Sequence, residues 1–197
     1  GQKAFITNGQ QAKYIVTFAK TDPEAGGRGI SLFVAEAGTP GLSVVRTEEK
    51  MGLQASDTAL LAFDDMRLSR SQLIGDENAG LGMALATLNQ SRIGIASVSL
   101  GMMKEGLSLA WKYAHERELG HGTVADMQVN QHALADMQIA VYANESMVYR
   151  TAMMADAGLN IESEASVCKV FATEAGDRVI DRALQMHGSI GYIRGMA

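Results

Sequence analysis

The sequence predicts an α+β chain: an antiparallel β-barrel or sandwich segment over residues 1–74, then an up-down bundle of long α-helices over 75–197. Three observations carry this expectation. Apolar residues in the first part fall in short runs rich in β-branched and aromatic side chains. From about residue 79 they recur at helical spacing instead. Both prolines, Pro23 and Pro40, lie in the first forty residues, and the remainder is Pro-free and rich in Met and Ala, which suits long helices.

Lys3–Thr7 is the first apolar run, and Asn8-Gly9 after it is a strong hairpin signal because both residues tolerate positive φ. Tyr14–Lys20 is a second strand, Asp22–Gly29 a Gly- and Pro-containing loop, and Ile30–Ala35 and Leu42–Arg46 further strands. Thr58–Leu68 reads as one last long strand, and 69–78 as a connector. The first helix is predicted over Ala79–Arg117 with two apolar faces. One carries Leu81, Leu85, Leu88, Ile95, Met102, Leu109 and Tyr113; the other carries Ile93, Leu100, Met103, Leu107 and Ala110. A helix apolar on both sides belongs inside a bundle. Gly120–Gly122 breaks the pattern, and a second helix follows over Asp126–Ala157 with Leu134, Met137, Val141, Val148 and Ala152 inward and Gly158 as its cap. A third runs from Ser163 to His187-Gly188, with Glu162 and Glu164 suited to its first turn, and buries Cys168, Phe171, Ala172, Ala175, Val179 and Met186. Three helices of this length want a fourth, from elsewhere in the protein or from another subunit.

Composition excludes several classes. The chain has 197 residues, is 47% hydrophobic and carries a net charge of −5 with scattered Lys and Arg. That argues against a nucleic-acid partner. No apolar run of about 18 residues predicts a membrane span, and the N-terminus has no apolar signal region. The single cysteine, Cys168, is expected to be a buried inert thiol in a reducing compartment, and the methionines to fill the core. The four histidines (His115, His121, His132, His187) show no metal-ligand spacing, so no metal is expected. Gly26-Gly27-Arg28-Gly29 lacks the following helix that a phosphate loop needs.

Five stretches, in order and on the expected element types, resemble the acyl-CoA dehydrogenase family. Lys3, Phe5-Ile6-Thr7-Asn8-Gly9 and Ala12 resemble its K-x-W-I-T-N-x-x-x-A strand, and Lys50-Met51-Gly52 before Thr58 its K-M-G-x-x-x-S/D-T stretch. Leu88-Asn89-Gln90-Ser91-Arg92 resembles L-D-x-x-R. Arg117-Glu118-Leu119-Gly120, one residue short of R-x-x-F-G, is followed by Gln128 and Leu134-Ala135-Asp136-Met137. Gln185-Met186-His187-Gly188-Ser189-Ile190-Gly191-Tyr192 resembles the Q-x-x-G-G/S-x-G-Y/F turn. The resemblance covers the whole chain and implies part of a middle β domain (1–74) and an incomplete C-terminal helical domain (75–197).

It further implies FAD-dependent α,β-dehydrogenation of an acyl-CoA thioester. Phe5, Ile6 and Thr7 would lie beside the flavin ring, with Phe5 in place of the usual Trp. Arg117, Leu119 and Gln128 would meet the pyrophosphate region, and Gln185, Gly188 and Ser189 the adenosine end. Asn89, Ser91 and Arg92 would contact substrate; Arg92, on an apolar face, requires a partner such as an ion pair within the bundle. Most family members place the catalytic Glu past the G-x-G-Y turn, a minority just before the helix Arg. The latter position is Ser91 here, so the base is expected beyond Ala197 and the piece alone inactive. An electron-transfer flavoprotein as acceptor, a dimer of dimers, and a bacterial cytoplasmic or mitochondrial matrix location complete what the resemblance implies. Two rival readings stay open: an acyl-CoA or nitroalkane oxidase on the same scaffold, and a non-catalytic helical binding module.

Overall fold

A computed structural model describes residues 1–195. Its elements run β1 (Gln2–Thr7), β2 (Tyr14–Lys20), β3 (Ile30–Glu36), β4 (Leu42–Thr47), β5 (Thr58–Phe63), β6 (Leu73–Ile74), then α1 (Gly80–Glu116), α2 (Gln128–Asp156) and α3 (Glu162–Met186). The chain forms two compact units, Gly1–Leu85 and a second from Ala86 onward, so α1 begins in one and continues into the other.

The first unit holds two three-stranded antiparallel sheets, ordered β1-β5-β4 and β2-β3-β6, with no closed barrel among the described residues. The expected β1–β2 hairpin does not form. Asn8 does take a left-handed turn conformation (φ 55°), but β1 pairs with β5, Thr7 opposite Thr58. Local turn chemistry fixed the reversal; the alternative partner, fifty residues on, won the pairing. The long last strand is also shorter than expected. It stops at Phe63, because Asp65 turns the backbone left-handed (φ 45°) and two acidic residues suit a bend better than a strand interior. β5 is the most buried strand, with Ala59, Leu60, Leu61 and Ala62 inside.

The helical unit has one core, to which α1 gives Leu100, Met103 and Ala110, α2 Leu134, Met137, Val141 and Val148, and α3 Cys168, Ala172, Ala175, Val179 and Met186. Phe171 and Ala152 are only half-buried, short of the full burial expected for them. Of the two apolar faces of α1, only the second is covered. Leu85, Leu88, Ile95 and Met102 stay about half exposed, so the expectation of a helix enclosed on both sides does not hold for this chain by itself. Nor are all methionines filler: Met103, Met137 and Met186 are buried, whereas Met51 and Met153 face solvent.

α2 ends as expected. Gly158 (φ 71°) donates to the Ala155 carbonyl and Leu159 to the Met154 carbonyl, a Schellman ending that satisfies two orphan carbonyls. Inside the bundle, Ser99 Oγ donates to the Ala172 carbonyl (2.6 Å), joining α1 to α3. Asn144 is wholly buried. Its amide N–H reaches only the Met103 sulfur (3.3 Å), and its Oδ1 has no partner among the described residues.

Candidate functional site

The candidate residues fall into four groups, one in the β unit and three in the helical unit. In the β unit, Phe5, Ile6 and Thr7 end β1. The register with β5 shifts between Lys3 and Ile6, a bulge at which Phe5 turns left-handed (φ 57°). The bulge throws Phe5 outward: it is 73% exposed, not a core aromatic. Ile6 is half-buried, and Thr7 is exposed with no side-chain hydrogen bond among the described residues.

Arg117, Leu119 and Gln128 belong to the reversal between α1 and α2. Gly120 and Gly122 take positive φ (76° and 132°), and the turn is tied by Leu119 N–H to the Gly122 carbonyl (2.7 Å) and Val124 N–H to the Arg117 carbonyl (3.0 Å). Asp126 accepts from the Thr123 backbone N–H (2.6 Å) and hydroxyl (3.0 Å). These bonds, the backbone one first, hold its carboxyl below the usual aspartate range. With the turn so fastened, the Arg117 side chain points to solvent without an ion-pair or hydrogen-bond partner among the described residues; Gln128 opens α2, likewise exposed, and Leu119 is partly exposed.

Gln185, Gly188 and Ser189 close α3. Gln185 and Ser189 are exposed; Gly188 is left-handed (φ 61°), and a Cβ there would meet nothing within 4 Å, so its backbone is open to close approach. The Tyr113 and His187 rings stack with centroids 4.5 Å apart, while His187 Nδ1 lies 2.7 Å from the Ala183 carbonyl. That stack brings the α1 end carrying Arg117 to the α3 end carrying Gln185–Ser189. The sequence places Tyr113 on an apolar face of α1 and His187 in the turn after α3, but nothing in it pairs the two rings.

Asn89, Ser91 and Arg92 lie near the other end of α1. Arg92 Nη1 donates to Asn89 Oδ1 (2.6 Å) and is 3.4 Å from Ser166 Oγ on α3. The required partners are there but are neutral, and Arg92 makes no ion pair among the described residues. Asn89, standing where the family motif has Asp, supplies an amide oxygen instead. Ser166, seventy-four positions away, had no local signal. Ser91 Oγ donates to the Thr87 carbonyl (2.9 Å) and is exposed. The Arg92 and Arg117 groups are not brought together. Twenty-five residues of one helix separate them, about 37 Å at 1.5 Å per residue.

Cys168 is fully buried, and burial pushes its thiol up from the ordinary value. No group of three or more His, Cys, Asp or Glu residues able to hold a metal occurs among the described residues. No described helix is long and apolar enough to cross a membrane.

Two antiparallel sheets followed by three long helices define an α+β chain whose candidate residues lie near strand and helix ends. Residues 1–66 match the family model for the acyl-CoA dehydrogenase middle domain and residues 78–197 that for the acyl-CoA dehydrogenase C-terminal domain. The chain belongs to the acyl-CoA dehydrogenase family. It is 37% identical over 194 residues to acryloyl-CoA reductase (NADH) of Anaerotignum propionicum, covering 98% of this chain and 49% of that protein. It is 37% identical over 196 residues to the mitochondrial short-chain specific acyl-CoA dehydrogenase of Bos taurus, covering 100% and 48%. The structure of an acyl-CoA dehydrogenase from Geobacillus kaustophilus superposes with TM-score 0.95 at 38% identity, covering 98% of this chain and 52% of that one. The chain thus spans about half the length of the relatives it matches.

Proposed function

We propose that this chain is the later half of an FAD-dependent acyl-CoA dehydrogenase, comprising part of a middle β domain (1–74) and much of a C-terminal helical domain (75–197). Bound FAD supplies the hydride acceptor when the Cα–Cβ bond of an acyl-CoA thioester is oxidised. Family membership supports the class. The observation that carries the cofactor reading is that Thr7, Arg117, Gln128, Gln185 and Ser189 all offer exposed polar side chains with no partner among the described residues. These donors fit the group: a planar, permanently charged guanidinium suits a pyrophosphate, and a hydroxyl beside a strand amide suits a flavin ring edge.

In this reading Phe5 lays an apolar face on the ring, Ile6 shields it, and Thr7 donates to its edge. Arg117 neutralises phosphate charge, with Leu119 and Gln128 beside it, while Gln185, Gly188 and Ser189 admit the adenosine end. Arg92, steadied by Asn89, and Ser91 line the path of the acyl-CoA. Ser91 is no base, since an alcohol does not hold a proton abstracted from carbon at neutral pH; the carboxylate that removes the α-proton lies outside these residues. The separation of Arg92 from Arg117 along α1 favours cofactor contacts shared between subunits, hence a homo-oligomer, a dimer of dimers on the family's pattern. An electron-transfer flavoprotein is the proposed acceptor, and a bacterial cytoplasm or mitochondrial matrix the proposed setting. The equal identity to an acryloyl-CoA reductase supports a second reading, in which the same atoms run the reduction of an enoyl-CoA.

The test is purification of the full-length protein. Flavin absorbance that bleaches anaerobically with butyryl-CoA is expected, with release of peroxide in air marking an oxidase instead. Arg117→Ala is expected to weaken FAD binding about 10- to 100-fold, the worth of a charge-assisted hydrogen bond. A colourless full-length protein that takes up no FAD would refute the reading.

A further inference from the structure

We propose that Lys50, Ser56 and Asp57 are positioning residues that hold the Ile6–Thr7 dipeptide in one conformation for the flavin ring; the proposal rests on the placement of Thr7 given above. The Thr7 hydroxyl has no hydrogen bond among the described residues, so its aim depends on its backbone. That backbone is unusual. Ile6–Thr7 is bracketed by two non-glycine residues in the left-handed region, Phe5 (φ 57°) and Asn8 (φ 55°). Asn adopts this region readily, but a left-handed Phe persists only where its surroundings over-determine it, and such residues cluster at functional sites.

The surroundings here are one hydrogen-bonded lattice. The Asp57 carbonyl accepts the Asn8 N–H (2.8 Å), and Asp57 Oδ2 accepts the Gln10 N–H (2.9 Å). Ser56 Oγ donates to Asn8 Oδ1 (2.8 Å). Behind them, Lys50 Nζ donates to the Leu53 carbonyl (2.9 Å) and to the Ser56 carbonyl, closing a loop in which Leu53 is itself left-handed (φ 51°). Gly9 seals the turn: a Cβ there would come within 3.0 Å of the Ala59 Cβ and the Ile6 carbonyl oxygen. The lattice therefore joins the Lys50-Met51-Gly52 stretch to the turn that ends Phe5-Ile6-Thr7, two motifs over forty residues apart.

Asp57 is a costly choice for a structural tie. Its Oδ1 is buried without a partner among the described residues, and burying an unsatisfied carboxylate oxygen is unfavourable. What the carboxylate gives in return is a stronger acceptor for the Gln10 N–H, and so a stiffer turn beside Thr7. Preorganisation of this kind matters where a donor must meet a ligand atom at fixed geometry.

The experiment uses the full-length protein with Asp57→Ala, Asp57→Asn and Lys50→Met, and Thr7→Val as reference. FAD dissociation constants of the apoproteins, the circular dichroism of bound flavin, the flavin reduction potential and apoprotein thermal unfolding are measured. Asp57→Ala and Lys50→Met are expected to weaken FAD binding about tenfold. They should also shift the flavin dichroism and potential in the same sense as Thr7→Val, while apoprotein unfolding stays near wild type. Asp57→Asn, which keeps a weaker, neutral acceptor for Gln10, should restore both in part. Combining Asp57→Ala with Thr7→Val should add little to Thr7→Val alone. If Thr7→Val perturbs the flavin but Lys50→Met and Asp57→Ala do not, or do so only in step with lost stability, the positioning role is overturned and the placement of Thr7 stands. If Thr7→Val itself leaves affinity and dichroism unchanged, that placement falls, and this proposal with it. Should Asp57→Ala not fold, Lys50→Met decides alone.

Discussion

Replacing Asn144 by Leu is expected to stabilise the protein. Asn144 is 0% exposed at the centre of α2, with Oδ1 unpartnered among the described residues and its N–H₂ directed at a sulfur, a weak acceptor. An unsatisfied buried carbonyl costs about 1–3 kcal/mol relative to a filled one. Leu has nearly the same branched shape, so no large cavity opens, and its two methyls add apolar burial of about 0.8 kcal/mol each. Against this stand the lost N–H···S contact, about 0.5–1.5 kcal/mol by analogy with an ordinary hydrogen bond, and repacking strain of order 1 kcal/mol. The balance is a gain of about 1–2 kcal/mol. For a chain of this size that is a rise in Tm of roughly 2–8 °C. Urea unfolding followed by far-UV circular dichroism, with m-values compared, measures it. Asn144→Ala serves as control and should destabilise, since it removes the clash-free filler as well as the polar group. A loss of more than 1 kcal/mol for Asn144→Leu at unchanged m would refute the reasoning, by showing that Oδ1 has a donor in solution.

Three further outcomes follow from the same packing. Gly176→Ala should destabilise by about 1–2 kcal/mol, because its Cβ would press on Ser99 Oγ; adding Ser99→Ala should recover most of the loss in a double-mutant cycle. The turn held by Asp126 should loosen in acid. Its folded carboxyl is depressed, so its contribution is present above the ordinary aspartate value, about 3.9, and lost as pH falls through the lower folded value. The Thr123 amide resonance should report that titration, and a midpoint above the ordinary value would contradict it. Cys168 should react with an aromatic disulfide reagent only on unfolding; prompt reaction in the native protein would show that its burial is not maintained.

Much of this fold was legible because it is written in local chemistry. The change of hydrophobic period, the glycine cap at Gly158 and the acidic start of α3 each rest on neighbours a few residues apart. What was not legible depends on distant partners. Asn8-Gly9 announces a reversal but does not say which strand lies alongside, and β5 took the place expected of β2. The two apolar stripes of α1 are equally apolar on paper; only contact decides that Leu100 and Met103 are inside while Leu88 and Ile95 are not. Arg92 required a partner, but nothing near it in sequence marks Ser166. At the candidate site, motif resemblance names the residues proposed for cofactor and substrate. The left-handed Phe5 and the lattice behind Asn8 were not legible, since an unbranched aromatic suits an extended strand as well as a bulge, and bonds to Asn8 from Ser56 and Asp57 leave no local signal.

The handedness of Phe5 narrows the alphabet available to that position. Anyone redesigning β1 as a regular extended segment would reach for Val, Ile or Thr, the residues that edge strands usually reward. At φ 57° a β-branched side chain meets its own backbone, so those choices would flatten the bulge and swing the ring's replacement inward. Unbranched aromatics, Asn and Gly are the tolerated set, and a mutational library at this position should sort by branching at Cβ rather than by hydrophobicity.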